Sequence, residues 1–263
     1  MSCLLRGKDA MVDLSKADFL PKKDATDDDC ALYVDEVCDI VRSGDIVLFS
    51  GASMTSLFVT TFCASQYSHI GIVYRPPGEE PMLFESIKSD DDGSPNVDVR
   101  TGKHRVGVRL VNLRMLLDSF RGHAVAVRTL VSPASMNIAD TLSEHMTQVL
   151  AQCIEKYGYL PYEHRWFNFV VARYNFIRLS IEHPDALFCS ELVARCYQEA
   201  GLLPRWRSTV QYLPDDFSQV GDVHLTYPLS PSVVLGVDTM DVVRLGRELF
   251  VEVKKKRRVR RVV

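Results

Sequence analysis

Two segments of this chain carry the side chains that a thiol nucleophile needs. Residues 67–74 have the sequence YSHIGIVY, in which His69 begins an apolar run that favours a β-strand. Residues 187–194 have the sequence LFCSELVA, in which Cys189 comes just before an amphipathic helix. A thiol becomes a strong nucleophile when a neighbouring base takes its proton, and histidine is a common base. The two segments therefore indicate cysteine-dependent chemistry on an acyl group if the fold brings them together.

The expected position of Cys189, at the start of a helix, favours the ionised form of its thiol. Free backbone N–H groups there carry about half a positive charge, which can lower a cysteine pKa from about 8.5 to roughly 3.5–7.5. The same N–H groups could donate hydrogen bonds to an oxyanion. Cys196 lies about two turns further along the same helix. Because its neighbours are apolar, we expect Cys196 to be an inert core thiol.

His69 and Glu85 are the candidate base and its orienting acid. Gly71 follows His69 on the strand, and a glycine there predicts a close approach, which we expect to be that of the Cys189 helix. Glu85 lies among mostly apolar residues on the return strand of a predicted hairpin. A carboxylate near His69 would hold one ring nitrogen and set the tautomer, as in other nucleophilic triads. The hairpin register decides whether Glu85 reaches the ring.

Each of these residues also has a plain structural interpretation, and other site types are not indicated. Cys189 could serve packing, His69 could be an ordinary strand residue, and Glu85 could be an edge-strand charge. The seven cysteines are irregularly spaced without a Cys-x-x-Cys pair, so neither a disulfide framework nor a zinc cluster is predicted. Phosphate-loop, dinucleotide-loop and serine-elbow patterns are absent, and no histidine pair has metal-binding helical spacing. We predict neither a cofactor nor a metal.

Four motifs in a fixed order resemble a known family. They are GDIVLF at 44–49, YSHIGIV at 67–73, FES at 84–86 and FCSELV at 188–193. This order resembles the circularly permuted NlpC-type papain-like cysteine peptidase and amidase superfamily, in particular its YiiX/YaeF-like group, which includes a poxvirus protein. The likeness spans residues 43–220.

The resemblance implies a papain-like core in which the histidine precedes the cysteine. It implies that Cys189 is the nucleophile, His69 the base and Glu85 the orienting residue, acting on an amide, ester or thioester bond. The acidic segment 88–104 and the helix-rich segment 136–185 are long, so the resemblance does not extend to the substrate. Acyltransferases related to lecithin:retinol acyltransferase carry Asn-Cys-Glu-His at the nucleophile, whereas this chain has Phe-Cys-Ser-Glu at 188–191.

Hydrophobic patterns predict the elements that must position these residues. We expect an α+β fold in which an antiparallel sheet, or a partial barrel, packs against helices that include the nucleophile helix. The predicted helices are 28–43, 53–64, 113–120, 136–157, 164–179 and 190–200. The predicted strands are 45–49, 69–74, 82–87, 106–110 and 124–130, and 233–253 is β-prone. The predicted domains are an arm at 1–26, a hydrolase domain at 27–253 and a basic tail at 254–263.

Charge and composition bound the partners and the compartment. No apolar run reaches the ~20 residues of a membrane span, and charges interrupt residues 1–20, so we expect an intracellular protein, cytoplasmic or nuclear, without a signal peptide. Residues 254–261 carry seven positive charges, and without them the formal net charge changes from −3 to −10. The tail could contact an anionic membrane, address the chain to a nucleus, or be a solvated end. The acidic remainder argues against nucleic acid as the main partner.

Three functions are compatible with these patterns. The first is a cysteine hydrolase whose substrate is an acyl-bearing small molecule, lipid or peptide. The second is an acyltransferase on the same scaffold, with a lipid or amine acceptor in place of water. The third is a non-catalytic binding module that is addressed by its basic tail.

Overall fold

The chain forms an α+β fold in the computed structural model. The structure describes residues 4–5, 12–13, 27–50, 67–88, 97–120, 124–131, 138–163, 185–219, 221, 223–230 and 233–235. Its helices are α1 (Asp27–Ile40), α2 (Leu113–Ser119), α3 (Ile138–Tyr157) and α4 (Cys189–Glu199). Its strands are β1 (Leu4–Leu5), β2 (Val12–Asp13), β3 (Ile46–Ser50), β4 (His69–Tyr74), β5 (Met82–Ile87), β6 (Gly107–Asn112), β7 (Ala124–Arg128) and β8 (Val233–Leu235). Short 3-10 turns occupy Thr209–Gln211 and Pro214–Phe217.

The described strands form one main sheet and one small pair. The main sheet has the order β6-β5-β4-β3-β7-β8, and every neighbouring pair is antiparallel. β1 pairs with β2 in a separate two-stranded sheet. The predicted α+β class and antiparallel sheet are therefore confirmed.

Helices pack on both faces of the main sheet, which explains why its strands are apolar almost without alternation. Ile46, Leu48, Ile70 and Ile72 point to one face and form a buried cluster with residues of α3 and α4. Val47, Phe49, Val73 and Leu83 point to the other face and form a second cluster with residues of α1 and α2. Strands that are buried on both faces favour continuous β-branched and aliphatic runs.

Most predicted elements are present with small shifts at their ends. The two hairpin strands have the predicted bounds. β7 ends at Arg128, two residues before the predicted end, because the Leu130 N–H leaves the ladder and donates to Asp45 Oδ1 at 2.7 Å. The predicted helices at 53–64 and 164–179, and most of the β-prone stretch 233–253, lie outside the described residues.

The expectation for Gly71 is wrong. A Cβ built at Gly71 would lie 2.6 Å from Leu83 Cγ, so the side chain of the neighbouring strand occupies the space beside this glycine. The register pairs Val73 with Leu83 and Gly71 with Glu85, so Leu83 leans along the strand into the gap. The α4 residues belong to the cluster on the opposite face.

No helix among the described residues combines the length and the apolar character needed to cross a bilayer.

Candidate active site

The β4–β5 hairpin brings His69 and Glu85 together. His69 is the first residue of β4, and Glu85 pairs with Gly71, two residues further along the same strand. Because side chains alternate across a strand, His69 and Glu85 share one face as diagonal neighbours. His69 Nε2 lies 2.7 Å from Glu85 Oε2. The His69 ring also packs beside the Phe49 ring, with 5.5 Å between centroids.

A buried arginine holds the second oxygen of Glu85. Arg109 lies directly opposite Glu85 in the β5–β6 register, and its Nε donates to Glu85 Oε1 at 2.9 Å. Both side chains are 2% exposed. The sequence analysis missed Arg109, although a charged residue inside the apolar run GVRLVN is a usable signal. The long segment between β5 and β6 hides the register that makes Arg109 the partner of Glu85.

Cys189 is the first residue of α4. α4 packs against β4 and β5, and the interaction with Cys189 is among those that raise the pKa of His69. Cys189 is only 3% exposed, whereas the His69 side chain keeps 21% of its surface. The structure thus joins His69 to Glu85 directly and places Cys189 at the start of the helix that packs against their strands.

Two hydrogen bonds of Leu187 fix the position of the start of α4. The Leu187 N–H donates to Pro161 O at 3.2 Å, and the Leu187 carbonyl accepts from the Ser86 hydroxyl at 2.8 Å. Ser86 follows Glu85 on β5, so this bond ties the nucleophile segment to the strand that carries the acid. Phe188 is the N-cap residue, and its N–H faces the Glu191 carboxylate at 3.5 Å.

The electrostatics of the site favour a charged imidazole. Burial opposes protonation of His69, but its hydrogen-bonding interactions with Cys189 and then with Glu85 outweigh burial and raise its pKa to about 10. Burial likewise works to raise the pKa of Glu85, but its hydrogen bond and charge interaction with His69, followed by those with Arg109, lower it. Since an ionised carboxylate only accepts hydrogen bonds, the Nε2–H of His69 is the donor in this pair.

Tyr162 is a second residue that the sequence analysis missed. Its ring meets the Phe188 ring edge to face, with 5.8 Å between centroids. Burial raises the pKa of the Tyr162 phenol, and the charges of Cys189 and Glu163 add to this effect. The phenol therefore keeps its proton and stays a hydrogen-bond donor near the candidate nucleophile. A parallel bridge between Tyr162 and Leu187 fixes this neighbourhood, and such a contact between distant segments leaves no local signal in the sequence.

The first turn of α4 supplies further donors. The first intrahelical bond runs from the Leu192 N–H to Phe188 O at 3.0 Å, so the N–H groups of Cys189 and Ser190 precede the helical ladder. The Ser190 hydroxyl is buried and has no hydrogen-bond partner in the described part of the chain. Backbone N–H groups in this position suit a developing oxyanion.

The other described cysteines and histidines lack a comparable setting. Burial, followed by the neighbouring thiol of Cys153, raises the pKa of Cys196 well above its usual value. Burial raises the pKa of Cys38 to about 12. His145 Nε2 lies 3.1 Å from Ala200 O at the end of α4, while His104 and His224 are exposed. His123, His164 and His183 lie outside the described residues.

Comparison with known proteins finds likeness among solved structures. No protein-family model matches the chain, and no curated protein is significantly similar to it. Among solved structures, it is similar to the crystal structure of the metalloprotein YiiX from Escherichia coli O157:H7, with 21% sequence identity and a TM-score of 0.38. The match covers 60% of this chain and 66% of YiiX, just under two thirds of its length. YiiX gives its name to the group that the four sequence motifs resemble.

The described residues do not fit a metal site. Within the described ranges, no group of three or more His, Cys, Asp or Glu side chains could hold a metal ion. The oxygens of Glu85 already accept hydrogen bonds from His69 and Arg109.

Proposed function

We propose that this protein is a papain-like cysteine hydrolase with a permuted chain order, acting on an amide, ester or thioester bond. The observation that carries the proposal is the His69–Glu85 contact on strands against which the helix that begins at Cys189 packs. A buried carboxylate orients the imidazole at 2.7 Å, and the interaction with the Cys189 thiol helps to raise the pKa of that imidazole. These are the parts of a nucleophile, a proton carrier and an orienting acid.

The reaction starts from a Cys189 thiolate paired with a His69 imidazolium. The sulfur attacks the carbonyl carbon, and we assign the stabilisation of the oxyanion to the N–H groups of Cys189 and Ser190, with the Tyr162 hydroxyl as a further donor. His69 then gives its Nδ1 proton to the leaving group, and the acyl group stays on sulfur as a thioester. Glu85 holds the Nε2–H throughout.

Water completes the cycle. It attacks the thioester carbonyl while His69 accepts its proton, and the tetrahedral intermediate expels the Cys189 thiolate. The product is a carboxylic acid, and the ion pair is restored. The exposed fraction of the His69 ring gives water and the leaving group a route to the proton carrier.

A covalent acyl-enzyme tests the proposal. We expect activated acyl esters to add one acyl group to the wild-type protein, detected by intact mass and mapped by peptide sequencing to Cys189. Cys189→Ala should lose this adduct and the hydrolysis that follows it. Cys196→Ala is the matched control in the same helix and should keep both, because its thiol is buried and hard to ionise.

The same experiment separates the competing functions. Release of the free acid indicates hydrolysis, whereas transfer to an added amine or lipid alcohol faster than to water indicates an acyltransferase. An equal adduct on wild type and Cys189→Ala refutes the nucleophile assignment. If Cys189 never accepts an acyl group, the non-catalytic binding module is the function that remains.

A further inference from the structure

Arg109 is a buried cation on β6, the edge strand of the main sheet. It lies at the centre of β6, is 1% exposed, and donates from Nε to Glu85 Oε1 at 2.9 Å. A buried guanidinium is costly unless a carboxylate and hydrogen bonds compensate its charge. The chain keeps an arginine here although the apolar residues around it on β6 would suit a hydrophobic side chain. Packing alone therefore does not explain an arginine at this position.

The contacts of Arg109 extend a line of alternating charge. The line runs from the Cys189 sulfur to the His69 ring, then to the Glu85 carboxylate and the Arg109 guanidinium. When the sulfur is a thiolate and the ring is an imidazolium, two negative groups alternate with two positive groups, and the sum is zero. Without Arg109, only His69 would compensate the buried Glu85 carboxylate, and burial favours the neutral form of that carboxyl.

We propose that Arg109 is a positioning residue that keeps Glu85 ionised and fixes its carboxylate beside the His69 ring, so that the imidazolium of the thiolate–imidazolium pair is stabilised. The inference rests on the proposed function in taking Cys189 as the nucleophile. Arg109 donates to the Glu85 carboxylate and acts on the site through it.

The charged and titratable groups of this line come from four different parts of the fold. His69 of β4 and Arg109 of β6 both interact with Glu85 and lower its pKa. Glu85 of β5 and Cys189 of α4 both interact with His69 and raise its pKa. Tyr162 faces Cys189 from the segment that bridges to Leu187, and it stays protonated and neutral. Among the groups that act on Glu85 in the described residues, Arg109 is thus the permanent positive charge.

Removal of Arg109 has a defined consequence for the proton. With only His69 as partner, the buried Glu85 carboxylate is stabilised less and becomes protonated more readily. A neutral carboxyl no longer stabilises the imidazolium, so the Cys189 thiol keeps its proton. An opposite charge nearby is worth about one pKa unit or more, so we expect Arg109→Met to slow alkylation of Cys189 by iodoacetamide at pH near 6.5 roughly tenfold.

Two further variants separate charge from packing. Arg109→Lys keeps the positive charge and should keep most of the alkylation rate. Glu85→Gln removes the carboxylate on which Arg109 acts. We expect Arg109→Met combined with Glu85→Gln to alkylate Cys189 at the rate of Glu85→Gln alone, because the effect of Arg109 passes through Glu85.

Arg128→Met is the control for the loss of a buried arginine. Arg128 is 9% exposed and donates to the carbonyl oxygens of Phe217, Ser218 and Ser230, away from Glu85. It should lower thermal stability and leave the pH dependence of Cys189 alkylation unchanged. Circular dichroism and the melting temperature establish which variants are folded, and alkylation is followed by peptide mass on the folded protein.

The measurements can overturn the inference independently of the proposed function. If folded Arg109→Met alkylates with the wild-type pH profile, or if the double variant is several-fold slower than Glu85→Gln alone, Arg109 does not act through Glu85. An acyl-enzyme on wild-type Cys189 would still support the hydrolase in that case. A shifted alkylation profile without any acyl-enzyme would support the action of Arg109 on Glu85 and reject the hydrolase.

Discussion

At the scale of single residues, hydrogen-bonding and charged partners outweigh burial in setting the protonation states of the candidate site. Glu85 is buried, and burial alone would make this carboxyl neutral. Hydrogen bonds from His69 and Arg109 reverse that tendency and keep it ionised. An ionised Glu85 in turn keeps a proton on His69, so the three residues form one coupled unit.

The same shifts predict how stability depends on pH. The pKa of His69 is raised from 6.5 to about 10, so its stabilising contribution is complete below pH 6.5 and is lost as the pH rises towards 10. The pKa of Glu85 is lowered from 4.5, so its contribution is complete above pH 4.5 and is lost as the pH falls through the lowered value. We therefore expect the pair to stabilise the fold most between pH 4.5 and 6.5.

Urea unfolding of wild type and of a His69→Gln, Glu85→Gln double variant measures this effect. The difference in the free energy of unfolding should be largest in that pH window and should shrink towards both ends. A difference that does not vary from pH 4 to pH 10 contradicts the assignment of the two charges.

At the scale of elements, the β4–β5 hairpin sets the geometry of the site. Its strands pair Gly71 with Glu85 and Val73 with Leu83, and a slip of one residue would move Glu85 to the opposite face from His69. Leu83 fills the space that Gly71 leaves and thereby favours the observed register. The glycine is needed for a neighbour within the sheet, not for the helix that carries the nucleophile.

Gly71→Ala tests this packing. The added Cβ would lie within 3 Å of three Leu83 side-chain carbons, so we expect a loss of about 1–3 kcal/mol in the free energy of unfolding. In a double-mutant cycle, Leu83→Ala should make the cost of Gly71→Ala smaller.

Gly78→Ala is the control in the turn of the same hairpin. Gly78 has a φ of +77° and no atom within 4 Å of an added Cβ, so its cost comes from backbone conformation. It should add to the cost of Leu83→Ala without coupling. Equal coupling energies in the two cycles would show that Leu83 does not occupy the space beside Gly71.

At the scale of the whole molecule, segments far apart in sequence close around the sheet. Arg128 at the end of β7 donates to carbonyl oxygens of residues 217, 218 and 230, and the Tyr197 hydroxyl of α4 donates to Gly44 O at 2.7 Å. These bonds connect α4 and the segment after it to β7 and to the turn just before β3. The nucleophile helix is thereby held against the strands that carry His69 and Glu85.

The basic tail leads to a prediction that is independent of the candidate active site. Residues 254–263 lie outside the described residues, and they carry seven positive charges beside an otherwise acidic chain. Each basic residue near an anionic bilayer contributes about 1 kcal/mol, so we expect the full chain to sediment with phosphatidylserine vesicles at low salt. Deletion of 254–263 should abolish sedimentation and leave the melting temperature and acyl-enzyme formation unchanged.

Substitution of the seven basic residues by glutamine is the matched control for tail length. Sedimentation that survives this substitution would contradict an electrostatic contact. A fluorescent fusion that loses nuclear accumulation with the same substitution, without any vesicle binding, would instead indicate a nuclear address.

The sequence by itself determined the local part of this protein. Hydrophobic periodicity and turn residues predict the hairpin at 69–74 and 82–87 and helices near α1, α3 and α4, because these signals act over a few neighbouring residues. Cys189, His69 and Glu85 could be selected because a helix start, a strand start and a charge in an apolar run are visible locally.

Only the tertiary structure decided which distant groups meet and how they ionise. Arg109 pairs with Glu85 through a register set across a long connection, and Tyr162 reaches the site through a bridge to Leu187. Gly71 accommodates Leu83, a choice between two faces that the pattern of one strand does not contain. Burial and pairing depend on all the elements packed around a group, so the charge states of His69 and Glu85 arise from the assembled fold.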